Sequence, residues 1–241
     1  MTVIYEDNHI IIVNKTCSEI VQGDKTGDTP LSETIKQYLK LKYDKPGNVF
    51  LGVAHRIDRP TSGAVAFAKT SKALSRLNEM FKSHDAVNKT YWAIVPNTPT
   101  NKQAKPLPNL NSEAITLENF LYRNEKQNKT YICGPDHAGA KNAIMTFRRI
   151  AAGEHYSLLE INLKTGRHHQ IRCQLANIGY PIKGDLKYGA KRSNPDGGIC
   201  LHARAIAFTH PVSQQHISVT APVPDDTLWQ QLETIAAQPN E

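Results

Sequence analysis

The chain has 241 residues, 39% hydrophobic and 21% charged, which suits a sizeable core and excludes an intrinsically disordered segment. Its four cysteines are scattered without a CxxC pair, which argues against a cysteine zinc cluster and for reduced thiols. The net charge of +7 is localised: residues 121–192 hold 13 Lys and Arg against 5 Asp and Glu, leaving 16 against 17 elsewhere. A concentrated positive face favours a polyanionic partner, of which nucleic acid is the commonest.

The opening residues, MTVIYEDNHIIIVNK, lack the basic and apolar regions of a secretory signal and predict two strands around an Asp-Asn turn. No apolar run is long enough to span a bilayer, so the expectation is a cytoplasmic protein without membrane attachment. Thr29-Pro30 opens a helix through about Tyr43, with Leu31, Ile35 and Leu39 on one face. HRIDRPTSG (55–63) predicts a polar loop leading into a short apolar strand, AVAFA. Ser71 is expected to cap a second amphipathic helix bearing Leu74, Leu77 and Phe81.

NKTYWAIV (88–95) alternates as a strand, with Tyr91, Ala93 and Val95 on one face. Residues 96–111, with four prolines, predict a connector. ITLENFLYR, KTYICG, AIMTFRRIAA and HYSLLEINL follow as strands. KTGRHHQIRCQLANIGYP predicts a turn, then a helix from about His168 to Ile178, ended by Gly179 and Pro181. Two closing strands and a short helix near Leu228 to Ala236 complete the chain. Strand runs interrupted by separated helices predict an α+β fold with a central mixed or mostly antiparallel sheet flanked by helices. No linker divides it, so residues 1–241 are expected to form a single domain with its core at about 1–225.

Two constellations carry chemistry. In HRIDRPTSG, Asp58 stands between Arg56 and Arg59 and beside Thr61. An ion-paired aspartate in a partly desolvated cleft can act as nucleophile or base, whereas a loop aspartate can simply satisfy backbone donors. The arginines suit phosphate contacts equally well. In TGRHHQIR (165–172), Arg167, His168, His169, Gln170 and Arg172 enter the first turns of a helix, where an imidazole and a guanidinium can share a face. The adjacent histidines point about 100° apart and no carboxylate or cysteine completes a ligand set, so no metal is expected. Tyr91, with Lys89 beside it, is a half-buried strand tyrosine or a base-stacking platform. His202, His210, Trp92 and Trp229 read as structural residues. No second acid partners Asp58 as glycoside chemistry would need.

Together these stretches resemble the RluA-type family of pseudouridine synthases. HRIDRPTSG is similar to its HRLD-x-x-TSG motif with Ile57 for leucine, and KTYWAIV to its tyrosine strand. TGRHHQIRCQLANIGYPIKGDLKYG resembles its TGR-x-HQIR-x-H…G-x-PI-x-GD-x-x-YG block, and LHARAIAFTHP its closing strand. The resemblance implies the pseudouridine synthase fold with an RNA-binding cleft, and isomerisation of uridine in ribosomal or transfer RNA without cofactor or metal. It makes Asp58 the catalytic aspartate, Arg172 its partner and Tyr91 a stacking residue. Arg56, Arg59, Thr61, Lys89, Arg167, His169 and Gln170 are expected to bind RNA. Gln174 stands where the family usually has histidine, and no S4-type RNA-binding module is expected. A monomer is expected. The rival readings are a silent RNA-binding module on the same fold and a nucleoside or glycoside hydrolase.

Overall fold

A computed structural model describes residues 1–24, 26–83 and 86–238. Its contacts gather into two compact units: the first comprises Met1–Lys89 and Ala203–Pro222, the second Thr90–His202 and Val223 onward. Two of the three divisions fall inside strands β5 (Val87–Pro96) and β10 (Leu201–Thr209), where composition has no break for a sequence reader to see.

In the first unit, β1 (Thr2–Glu6), β2 (Ile10–Lys15) and β4 (Ser62–Ala68) pair antiparallel, and β3 (Gly52–Val53) adds to β4. All seven residues of β4 are buried, which explains its apolar run without alternation. The β10 strand pairs with β11 (His216–Thr220). Helix α1 (Leu31–Lys42) buries Leu31, Ile35 and Leu39 as its periodicity predicts, although Pro30 stands just before its first turn. Helix α2 (Ser71–Lys82) is capped by Thr70, whose hydroxyl accepts from Ala73 N at 3.2 Å; Ser71, the expected cap, is its first helical residue. Its Leu77 joins Ile10, Ile12, Ala66, Phe208 and Val219 in a common core. Glu6 ties β1 to α1: burial alone would raise its pKa, but hydrogen bonds from Lys42, Lys69, Tyr43 and Tyr38 hold it at about 2.

In the second unit, β6 (Ile115–Asn124), β7 (Lys129–Cys133), β8 (Lys141–Ala152) and β9 (Tyr156–Leu163) form an antiparallel sheet in the order β5-β9-β8-β6-β7. Alternation on β8 puts Ala143, Met145 and Phe147 inward. On β5 it breaks down: Ala93, Ile94 and Val95 are all buried because both faces are covered. Helices α3 (Gln170–Asn177) and α4 (Thr227–Ala237) contribute Ile171, Leu175, Trp229 and Leu232 to this core. Helix α3 begins two residues later than the sequence suggests, because His169 takes a left-handed conformation (φ 50°) that no helix continues. The ladders β1–β2, β2–β4, β3–β4 and β10–β11 of the first unit and β5–β9, β9–β8, β8–β6 and β6–β7 of the second are antiparallel, in keeping with an α+β fold. Among the described residues no helix is long and apolar enough to cross a membrane.

Gly63, which ends HRIDRPTSG, has φ +116°, and a Cβ there would lie 2.5 Å from Ala203 N on β10. Glycine is required by backbone conformation and by space together. Gly63→Ala should lower stability by about 3 kcal/mol, read as a shifted urea midpoint with unchanged slope.

Candidate active site

The first unit presents the Asp58 loop. Asp58 O accepts from Thr61 N at 3.0 Å, closing a turn around Arg59-Pro60. The next carbonyl, Arg59 O, is gripped twice: by Ser18 N at 3.0 Å and by Lys15 Nζ at 3.0 Å. Lys15 is 1% exposed and also donates to Thr16 O and Glu19 O, both at 2.8 Å. Burial pushes its pKa down to about 8, against the opposing pull of Glu19, Cys17 and Asp58. An ammonium with three carbonyl acceptors is a rigid clamp, and the sequence reading missed it. Its only sequence signal was a lysine ending an otherwise apolar strand.

The flanking residues divide by exposure. Arg56 and Arg59 are exposed, and Arg59 pairs with Asp28 at 2.6 Å. Thr61 is 1% exposed, and its hydroxyl is a buried polar atom without a hydrogen-bond partner among the described residues. His55 accepts from Ala66 N at 2.9 Å through Nε2 and stacks on Phe81 at 4.2 Å. Burial, reinforced by the nearby Lys89 charge, lowers its pKa to about 3. The pKa of half-buried Lys89 is itself lowered by burial.

The second unit presents Tyr91 and the TGRHHQIR segment. Tyr91 is half-buried on β5 opposite Ile161. Gln170 locks the turn: its Oε1 accepts from Arg167 N at 3.0 Å and Thr165 Oγ1 at 2.8 Å, while Nε2 donates to Ile144 O at 3.1 Å. Half-buried Arg167 donates through Nε to Asn142 O at 2.9 Å. His168 and His169 stack at 3.7 Å, and His169 Nδ1 lies 3.0 Å from Tyr188 Oη. Burial, then the charges of Arg172 and His168, lowers the His169 pKa to about 2.

Arg172 is 4% exposed, and Asp185, at 1%, takes its Nε at 2.7 Å and its Nη2 at 2.9 Å. The guanidinium also lies 5.1 Å from the Tyr188 ring centroid. Sequence reasoning singled out Arg172 but not Asp185 or Tyr188; the GD-x-x-YG spacing was the available signal. Gln174 is wholly buried and donates to Asn119 Oδ1 at 2.8 Å, with Leu117 O and Ala143 O at 3.3 Å. The departure from the family pattern at Gln174 therefore falls on packing between α3 and the sheet. Among the described residues, no cluster of three or more His, Cys, Asp or Glu could hold a metal ion.

Two measurements follow from this geometry. Arg172→Ala strands the buried Asp185 carboxylate and Asp185→Asn strands the buried Arg172 guanidinium, so each should cost about 3–5 kcal/mol in urea unfolding. In the unfolded chain His55 and His169 titrate near 6.5, whereas in the fold they stay neutral to about 3 and about 2. Between those values the unfolded chain binds protons that the fold refuses, so stability falls as pH drops below 6.5. From pH 7 to 5 each should contribute a loss of about 1–2 kcal/mol, and His169→Asn should flatten part of the dependence.

Comparison with known proteins adds a family. A family model described as RNA pseudouridylate synthase matches residues 9–177. The chain is 29% identical to "Ribosomal large subunit pseudouridine synthase D" of Zymomonas mobilis, over 94% of this chain and 70% of that protein. It is 30% identical to "tRNA pseudouridine synthase C" of Vibrio cholerae, over 96% and 94%. It is 29% identical to "Uncharacterized RNA pseudouridine synthase YlyB" of Bacillus subtilis, over 94% and 70%. Among solved structures, human RNA pseudouridylate synthase domain containing 4 shares the fold, with a TM-score of 0.74 over 99% of this chain and 95% of that one at 18% identity.

Proposed function

The chain belongs to the RNA pseudouridylate synthase family and is an RNA-modifying isomerase; from that premise we propose that Asp58 is the catalytic aspartate, with Arg172 as its charge partner and Tyr91 stacked on the target uracil. The supporting observation is the turn that presents Asp58, fixed through the Arg59 carbonyl by Ser18 and the buried Lys15. A reacting carboxylate needs such positioning, because small misplacements are costly in rate. Asp185 holds Arg172 through Nε and Nη2, and a guanidinium fixed in this way is a preorganised cation.

The reaction is an isomerisation and needs no net oxidant or reductant. In the route we favour, the Asp58 carboxylate takes the C2′ proton as the N1–C1′ bond breaks, leaving a glycal and a detached uracil. The base turns, C5 bonds to C1′ and the proton returns to C2′. Loss of the C5 proton, with Tyr91 taking part, and protonation of N1, which had parted from C1′, restore the ring with no net change in protons. The reacting nucleotide must leave its stack for Asp58 to reach the sugar.

Arg56, Arg59, Lys89 and Arg167 are the proposed direct RNA contacts, since each exposes at least part of its side chain. Thr61, His169 and Gln170, at 1%, 8% and 3% exposure, shape the two loops instead of touching RNA. We assign the whole chain, residues 1–241, to one catalytic domain acting as a cytoplasmic monomer, with ribosomal or transfer RNA as substrate. Relatives named for each RNA class align with this chain.

Asp58→Asn should abolish pseudouridine formation in cellular RNA, mapped chemically with and without the gene, while leaving RNA binding within about twofold. Retained turnover would remove Asp58 from the mechanism. Log affinity for single-stranded RNA should fall with log salt with a slope of about −0.7 for each phosphate neutralised, and a flat response would contradict the electrostatic account.

A further inference from the structure

A pocket of about 560 Å³ opens in the second unit between residues 96–100, Tyr156 and residues 181–194, and no residue assigned above to catalysis or RNA contact lines it. We propose that it holds one nucleotide of the RNA chain other than the uridine that reacts; the proposal rests on the chain acting on RNA. Its volume lies within the roughly 300–1,000 Å³ usual for small-molecule sites. Three cations, Lys183, Lys191 and Arg192, line it, and among the described residues no carboxylate does.

The inner wall is built and rigid. Lys183 is fixed on both sides of its backbone, its N–H donating to Ile94 O and its carbonyl accepting from Cys200 N, both at 2.9 Å. Its Nζ donates to Asn194 Oδ1 at 2.7 Å and lies 6.0 Å from the Tyr156 ring centroid. Asn194 donates in turn to Cys200 Sγ at 3.3 Å. Gly184 has φ +90°, and a Cβ there would come within 2.6 Å of Asn194 Nδ2, so glycine is what admits the amide. Across the pocket, Thr100 N donates to Gly179 O at 2.8 Å, anchoring the proline-rich wall.

These parts match the parts of a nucleotide. Tyr156, Pro99 and Pro181 offer flat apolar surface for a base, and Asn194 offers an amide for its edge. Lys191 and Arg192 are exposed at adjacent positions, where they can meet consecutive phosphates. That adjacency favours a chain over a free mononucleotide. Along β5, Tyr91 pairs with Ile161 and Pro96 with Tyr156, five residues apart. At the rise of an extended strand this is about 17 Å, several nucleotides from Tyr91 along an RNA. A grip there would set the register of the substrate without touching the reacting base.

The test uses the full chain and a 5′-phosphorylated decamer of uridine and 4-thiouridine. Ultraviolet crosslinking and peptide mass spectrometry should place 4-thiouridine on Tyr156 or within residues 181–194. Lys191→Ala/Arg192→Ala should lose that crosslink, bind the decamer roughly tenfold more weakly and show a salt slope shallower by about 1.4, the loss of two phosphate contacts. Asn194→Ala should weaken binding at an unchanged slope, which a loss of bulk charge would not do. Unchanged affinity in both variants, or crosslinks confined to other segments, overturns the proposal. So does uridine monophosphate suppressing the Tyr156 crosslink at concentrations below those at which the decamer does, since the site would then serve free mononucleotides. If the crosslinks appear but no pseudouridine forms in cellular RNA, the catalytic reading fails and the pocket stands; the reverse pattern removes the pocket alone.

Discussion

A guanidinium with 4% exposure must be met by a charge, and the Arg172–Asp185 pair meets it in a closed circuit. Asp185 introduces a 3₁₀ turn, Leu186–Tyr188, whose Tyr188 hydroxyl accepts from Thr130 N at 2.8 Å and lies 3.0 Å from His169 Nδ1. His169, in its left-handed conformation, starts the helix that carries Arg172 back to Asp185. Each member fixes the next, and the Tyr188 ring lies under the guanidinium. Burying such a pair is expensive unless its geometry and remaining hydrogen bonds are good, so its presence is better explained by positioning than by stability. Neutral His169 fits that account: a second positive charge beside Arg172 would repel it, and burial keeps the imidazole uncharged.

The Asp58 loop reaches comparable rigidity by a different route. Its fixed point is a carbonyl rather than a carboxylate, and its clamp is the ammonium of Lys15. Asp185 differs in kind: both of its oxygens are bonded to Arg172, so its carboxylate is itself the support. The loop's two ends follow the same logic, since Thr61 closes the turn through its backbone and Gly63 lets the next strand pass tightly against β10.

Local rules made much of this legible. The stripe Leu31, Ile35 and Leu39 gave α1, and the alternation of Ala143, Met145 and Phe147 appears inward on β8. What local rules missed depends on distant partners. Nothing near Lys15 in sequence reveals that its ammonium reaches Arg59, 44 positions away. The start of α3 shifted because His169 adopts a positive φ, a conformation sustained by Tyr188 and by the stacked His168. Arg172 was legible as a residue of interest, but Asp185 was not legible as its support. The two-unit organisation was hidden for a related reason: two of its three boundaries lie within β5 and β10, where a strand pattern runs on unbroken.

Charge shows the same limit. Residues 121–192 carry a surplus of eight positive charges, yet a sum says nothing about pairing. Arg172 is buried against Asp185, and Arg148 meets Glu160 at 2.7 Å, so neither adds much to an outward field. Lys191 and Arg192 are exposed and line a pocket that no carboxylate among the described residues lines. An RNA chain would feel these charges far more than the buried one, because desolvated and neutralised pairs project little potential. The basic third of the chain therefore does two kinds of work. Part of its charge organises the protein around Asp185, and the remainder, held on exposed side chains, is what a polyanion can reach.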